Sequence, residues 1–135
     1  MGAWGAGPFE NDDAMDFLAD LSEIDADQRG AKLVAALRLP PEGYLELPEA
    51  SAAIAAAGLI AIAAGSYAGD LDEAYSELPH AEGLRDDVRL RDLALAALSR
   101  VNAADSEWQE LWAESSSADE AATALAQLRS ALLFA

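Results

Sequence analysis

Apolar positions recur along this chain at helical rather than strand spacing. Behind Asn11, the residues Ala14, Phe17, Leu18 and Leu21 follow the i, i+3, i+4, i+7 rule of one helix face. Asp13, Asp16, Asp20 and Glu23 recur at the same spacing on another face, which is therefore acidic. Asn11 is a natural N-cap, and Asp12 and Asp13 fill the first turn, where acids favour the positive end of the dipole. A second helix is predicted over about 27–39, with Leu33, Val34 and Leu37 apolar and Pro40-Pro41 as its stop. The stretch Gly43-Tyr44-Leu45-Glu46-Leu47 reads as an extended connector whose three large side chains plug the core. Pro48 suits the first turn of a third, alanine-rich helix, which Gly65 and Gly69 end.

Residues 71–78 read as a short helical piece closed by Pro79. From 84 to about 101 the apolar residues fall on two adjoining stripes. One is Leu84, Val88, Leu95 and Leu98, and the other is Leu90, Leu93, Ala97 and Val101. So wide an arc predicts contact with more than one neighbour. Ser106-Glu107-Trp108-Gln109 and Ser117-Ala118-Asp119-Glu120 both fit capping boxes. They open a short helix bearing Trp108, Leu111 and Trp112, and a last one bearing Ala121, Leu125, Leu128 and Leu132. Val and Ile together number only seven, and no β-branched alternation is sustained anywhere. The predicted fold is all-α: a single domain over 1–135, built as a compact bundle of about five or six helices. Residues 1–10 form a Gly-rich loop docked on it.

Composition sharpens this picture. Of 135 residues, 33 are alanine, the best helix former, whose small side chain lets helices approach closely. Alanine buries little area, so the few Trp, Phe, Tyr and Leu residues must supply most hydrophobic stabilisation. The formal charge is −17, and Lys32 is the sole lysine. Residues 1–28 alone carry eight acids and no base. With 53% hydrophobic residues, whole-chain disorder is excluded. Nucleic acid is excluded as a partner because phosphate contacts need clustered Lys and Arg. The absence of Cys removes thiol chemistry, and a single His, His80, removes any two-histidine zinc site.

The opening nine residues have no basic region and no continuous apolar run, so they do not read as a signal peptide. Gly2 lacks the Ser or Thr at position 6 that myristoylation wants; Ala6 stands there. Residues 50–69 are uncharged over about a span's length, but they are mostly small and their flanks are acidic. That run reads as the centre of a helical bundle. No membrane association is expected, and the expected location is the cytoplasm.

The opening Met-Gly-Ala-Trp-Gly-Ala-Gly-Pro-Phe, the Asn11-Asp12-Asp13 that follows and the acidic-aromatic helix to Leu21 resemble a known pattern. It is the start of the bacterial family called domain of unknown function 4259. Gly-Tyr-Leu-Glu at Gly43–Glu46, leading into an alanine-rich helix, is similar to that family as well. The resemblance implies a bacterial, often actinobacterial, single-domain protein with no assigned activity. It brings no catalytic residues.

Candidate chemistry is sparse. Asp12-Asp13-Ala14-Met15-Asp16 spells D-D-x-x-D, by which some enzymes hold Mg²⁺ and a diphosphate. No second acidic motif and no Lys/Arg set for the diphosphate accompany it, and a capped helix start with a solvated face explains it equally. Arg85, Arg89 and Arg91 form the one basic cluster, and internal pairing with surplus carboxylates is its expected fate. No spacing gives His80 a partner for general base chemistry, and no nucleophile motif surrounds Ser115, Ser116 and Ser117. Trp108 and Trp112, one turn apart, are expected in the core. In the opening loop, Trp4 and Phe9 are expected to be buried anchors of a structural strap, with Asn11 or Asp12 receiving backbone N–H groups.

These features favour a non-catalytic acidic interaction protein, immunity- or inhibitor-like, that presents Asp13, Asp16, Asp20 and Glu23 to a basic protein. The alternative is a metal-dependent phosphate-acting enzyme built on Asp12, Asp13, Asp16 and Asp20. No cofactor is expected on the first reading.

Overall fold

A computed structural model describes residues 5–67, 71–80, 84 and 87–134. Trp4, Gly2, Gly69 and Arg85, which the sequence analysis singled out, lie outside the described residues. Six α-helices follow in order: α1 (Asp12–Glu23), α2 (Arg29–Leu37), α3 (Leu47–Ala63), α4 (Val88–Val101), α5 (Glu107–Ala113) and α6 (Ala118–Leu133). Short 3-10 turns at Ala26–Gln28, Glu73–Tyr75 and Leu78–His80 complete the helical structure. The fold is all-α, and the described residues contain no strand.

The sequence of α3 leaves it no polar face: Ala, Gly, Leu and Ile occupy nearly every position after its first turn. Twelve of its 17 residues are buried, and it packs against each of the other five α-helices. Methyl side chains permit that crowding, because neighbouring helices meet little more than backbone. α4 packs in addition on α2 and α6, as its wide apolar arc predicted. Among the described residues no helix is long and apolar enough to cross a membrane.

The opening segment lies tight against α3 at Gly58. A Cβ there would stand 2.8 Å from Cζ of Phe9 and 3.3 Å from Cβ of Pro8. Phe9, 4% exposed, is thus seated on a notch that glycine leaves in the helix. Beside it the Glu10 carboxylate accepts the Gly7 N–H at 2.9 Å. The far end of α3 closes on Gly65, whose φ of +80° lets the chain reverse. The Gly65 N–H donates to Ile62 O and the Ser66 N–H to Ala61 O, the pair of bonds of a Schellman ending.

Local capping sets most other boundaries. Asn11 Oδ1 accepts the Ala14 N–H at 2.7 Å and starts α1. At the other end of α1, Arg29 donates from Nε to Leu21 O (3.0 Å) and from Nη2 to Ser22 O (3.2 Å), placing a cation on the negative end of the dipole. The predicted second helix is shorter than 27–39: a 3-10 turn takes its start and α2 stops at Leu37. α4 begins at Val88 rather than at 84, because Asp87 caps it by accepting the Leu90 N–H at 3.1 Å. Val88, expected on an apolar stripe, is therefore in the first turn and 57% exposed. Ser106 caps α5, whereas Ser117 makes no side-chain cap on α6. Ser115 Oγ instead accepts the Ser117 N–H at 3.0 Å, which replaces the capping box expected there.

Two connectors are stitched together near the start of α3. The Leu45 N–H donates to Asp105 O at 2.9 Å and the Glu107 N–H to Leu45 O at 2.8 Å, a lone parallel bridge between Leu45 and Ser106. Arg100, its side chain 11% exposed, reinforces this seam. It donates to Pro40 O (2.7 Å), Gly43 O (2.6 Å) and Asp105 Oδ1 (3.0 Å). Leu45 is fully buried and Leu47 half-buried, but Tyr44 is exposed, so two of the three expected plugs enter the core.

Gly58→Ala should destabilise the protein by about 1–3 kcal/mol in denaturant melts, because overpacking outweighs the roughly 1 kcal/mol that alanine gains in helix propensity. In a Phe9→Ala background the same substitution should become neutral or stabilising. Arg100→Lys should cost about 2–3 kcal/mol in the same measurement, since an ammonium does not span three acceptors as a guanidinium does.

Candidate functional site

Two features of the surface qualify as sites, and they share Asp13. The first is the outer face of α1. Ala14, Phe17, Leu18 and Leu21 are buried, which turns Asp16, Asp20 and Glu23 to solvent, while Asp13 is half-buried. Among the described residues the one ion pair is Arg100–Asp105. Arg29 is committed to backbone carbonyls, so it does not neutralise the stripe. Arg89 and Arg91 make no ion pair with any described residue; the neighbouring acids Glu82 and Asp86 lie outside the described residues. No group of three His, Cys, Asp or Glu among the described residues is placed to hold a metal ion, Asp12, Asp13 and Asp16 included. Asp12 is exposed in the first turn of α1, and His80 is exposed at the end of its 3-10 turn.

The second feature is a cavity of about 390 Å³ between the opening segment, the start of α1, and helices α3, α5 and α6. Leu47, Ile54, Leu111, Leu125, Leu128 and both indoles supply its apolar wall. Trp108 and Trp112 stand with ring centroids 6.4 Å apart and planes tilted by 49°. Trp108 is buried as expected, whereas Trp112 is half-buried and faces this space. Polar groups converge from separate elements: Asn11 and Asp13 from the start of α1, Ser51 from α3, Ser115 and Ser117 from the α5–α6 turn, and Glu120 from α6. Ser51 is 3% exposed, and its hydroxyl has no hydrogen-bond partner among the described residues. Among the described residues no Lys, Arg or His lines the cavity. Sequence reasoning missed Ser51; its one signal is a hydroxyl set alone within an alanine-rich helix.

The profile of a family described as "Domain of unknown function (DUF4259)" matches residues 2–125. The chain belongs to this family. No curated protein and no solved structure matches it. The region shared with DUF4259 takes in the whole acidic face of α1 and every residue lining the cavity except Leu128.

Near the α3–α5 seam, Tyr44 projects over a group of carboxylates. Its hydroxyl donates to Glu110 Oε2 at 3.5 Å, and Glu107 Oε1 accepts the Leu47 N–H at 2.8 Å. Partial desolvation first, then the charges of Glu110, Glu107 and Glu46, hold the Tyr44 phenol above its ordinary value of 10.0. A raised folded-state value means that the protonated phenol favours the fold. That contribution is complete below the unfolded value and is lost as pH rises through the folded one. Ultraviolet titration of the native DUF4259 chain should therefore show a tyrosine midpoint above 10.0, assigned to Tyr44 by its loss in Tyr44→Phe. Glu110→Gln should move that midpoint down.

Proposed function

We propose that this DUF4259 member is a non-catalytic acidic interaction protein that engages a basic protein through Asp13, Asp16, Asp20 and Glu23 of α1. The observation that carries this reading is the direction in which the cations point. Arg29 and Arg100 are engaged by backbone carbonyls, and among the described residues no cation pairs with the stripe. Carboxylates fixed on one rigid helix act together on an approaching cationic surface, speeding encounter and selecting against acidic competitors. An inhibitor or immunity protein directed at a cationic enzyme would use such a stripe as charged bait, in the bacterial cytoplasm.

The experiment is comparative capture from a bacterial lysate. Wild-type chain is set against Asp13→Asn/Asp16→Asn/Asp20→Asn/Glu23→Gln at low salt and at about 0.5 M salt, where the Debye length falls to a few ångströms. A basic protein should be retained by the wild type at low salt, lost by the variant, and released by salt. The variant should melt at or slightly above the wild-type temperature, because like charges at i, i+4 are relieved. Equal capture by both chains would defeat the proposal. So would a variant that loses helix content, since the carboxylates would then be holding the fold together.

A further inference from the structure

The cavity beneath the opening segment has its own chemistry, independent of any protein partner. We propose that it binds a small organic cation: one ammonium group carried on a compact aromatic or aliphatic body. At about 390 Å³ it falls within the size range of small-molecule sites. Its walls are leucine, isoleucine and indole, which suits an apolar body. Trp108 and Trp112 also offer π faces that attract a cation.

Charge decides the sign of the ligand. Among the described residues Asp13 and Glu120 both line the cavity, no cationic side chain lines it, and neither carboxylate has an ion-pair partner. The N-termini of α1, α3 and α6 border the same space, and each contributes about half a positive charge. Two full negative charges outweigh three halves, so an ammonium is favoured and a carboxylate or phosphate is repelled. Ser51 supplies the second, independent observation. A hydroxyl on a residue 97% removed from solvent, with no partner, opens onto this space. No buried side-chain N or O atom among the described residues lacks a partner, so this hydroxyl is reached through the cavity and is free to accept from whatever occupies it. A ligand N–H donor at the cavity floor would satisfy it, in addition to the carboxylates of Asp13 and Glu120.

Isothermal calorimetry on the full chain tests this with three probes of nearly one shape: 2-phenylethylammonium, 2-phenylethanol and phenylacetate. The ammonium should bind saturably at one site, about tenfold or more tighter than the alcohol, with no binding of the acid. Asp13→Asn/Glu120→Gln should remove the preference for the ammonium over the alcohol. Asp16→Asn/Asp20→Asn, on the stripe but away from the cavity, should leave it unchanged. Ser51→Leu should abolish binding of both the ammonium and the alcohol by filling the floor. Ser51→Ala, a smaller change than any that threatens folding, should weaken the ammonium severalfold, with circular dichroism confirming the fold of each variant. Equal affinity for ammonium and alcohol, or a preference that survives Asp13→Asn/Glu120→Gln, would overturn the proposal. Absence of binding to the full chain would overturn it as well.

Discussion

Everything in this fold depends on surrounding α3. A helix with methyl groups on all sides has no face that water tolerates well, and it gains little from burying only one of them. The chain therefore wraps five helices and a piece of its opening segment around it. Because alanine and glycine project so little, those neighbours come in close. Phe9 settling onto Gly58 is the extreme case, in which the absence of a side chain makes the binding surface for a ring. The large residues that pin the assembly are supplied mostly by the surrounding elements: Phe17, Leu18, Leu33, Leu45, Leu98, Trp108 and Leu128.

Polar interactions then follow a division of labour. At helix ends and connectors, they are directed to backbone groups: Asn11, Asp87 and Ser106 on N-termini, Arg29 on the end of α1, and Arg100 across the seam between connectors. Outside, acids are left to face water or whatever binds. With so few cations and the best placed of them turned inward, the strong negative charge of the sequence is expressed at the surface. The cavity belongs to the border between the two regimes. It forms where the opening segment, α5 and α6 meet over α3, and Asp13 stands in both the acidic stripe and its rim.

Features set within a few residues were legible in the sequence, and features set by distant partners were not. α1 was readable nearly to the residue, because cap, dipole and periodicity are all local. The same reasoning placed the start of α4 too early: the apolar pair Leu84 and Val88 has helical spacing, but Asp87 caps between them and only Leu84 is buried. Ser117 has the spacing of a capping box, yet the nearby Ser115 hydroxyl takes the backbone bond. Tyr44 looked like a plug, but pairing of Leu45 with the chain at Ser106 fixes which connector side chains turn inward. The cavity could not be read at all. Its wall combines residues from the opening segment, α3 and the α5–α6 hairpin, and Ser51 acquires meaning only when those elements meet.

The methyl-dominated core around α3 also governs how the protein responds to temperature. Unfolding raises heat capacity in proportion to the apolar surface newly exposed to water, typically ~12–15 cal/mol/K per residue. Alanine and glycine uncover less of that surface than leucine or phenylalanine would in the same positions. The increment for this chain should thus fall below the typical value, flattening the curve of stability against temperature. A flatter curve changes little on cooling or warming, and it pushes cold denaturation further from the working range. Sparse side chains at the centre of the fold thus give up depth of stability at the optimum and gain thermal breadth.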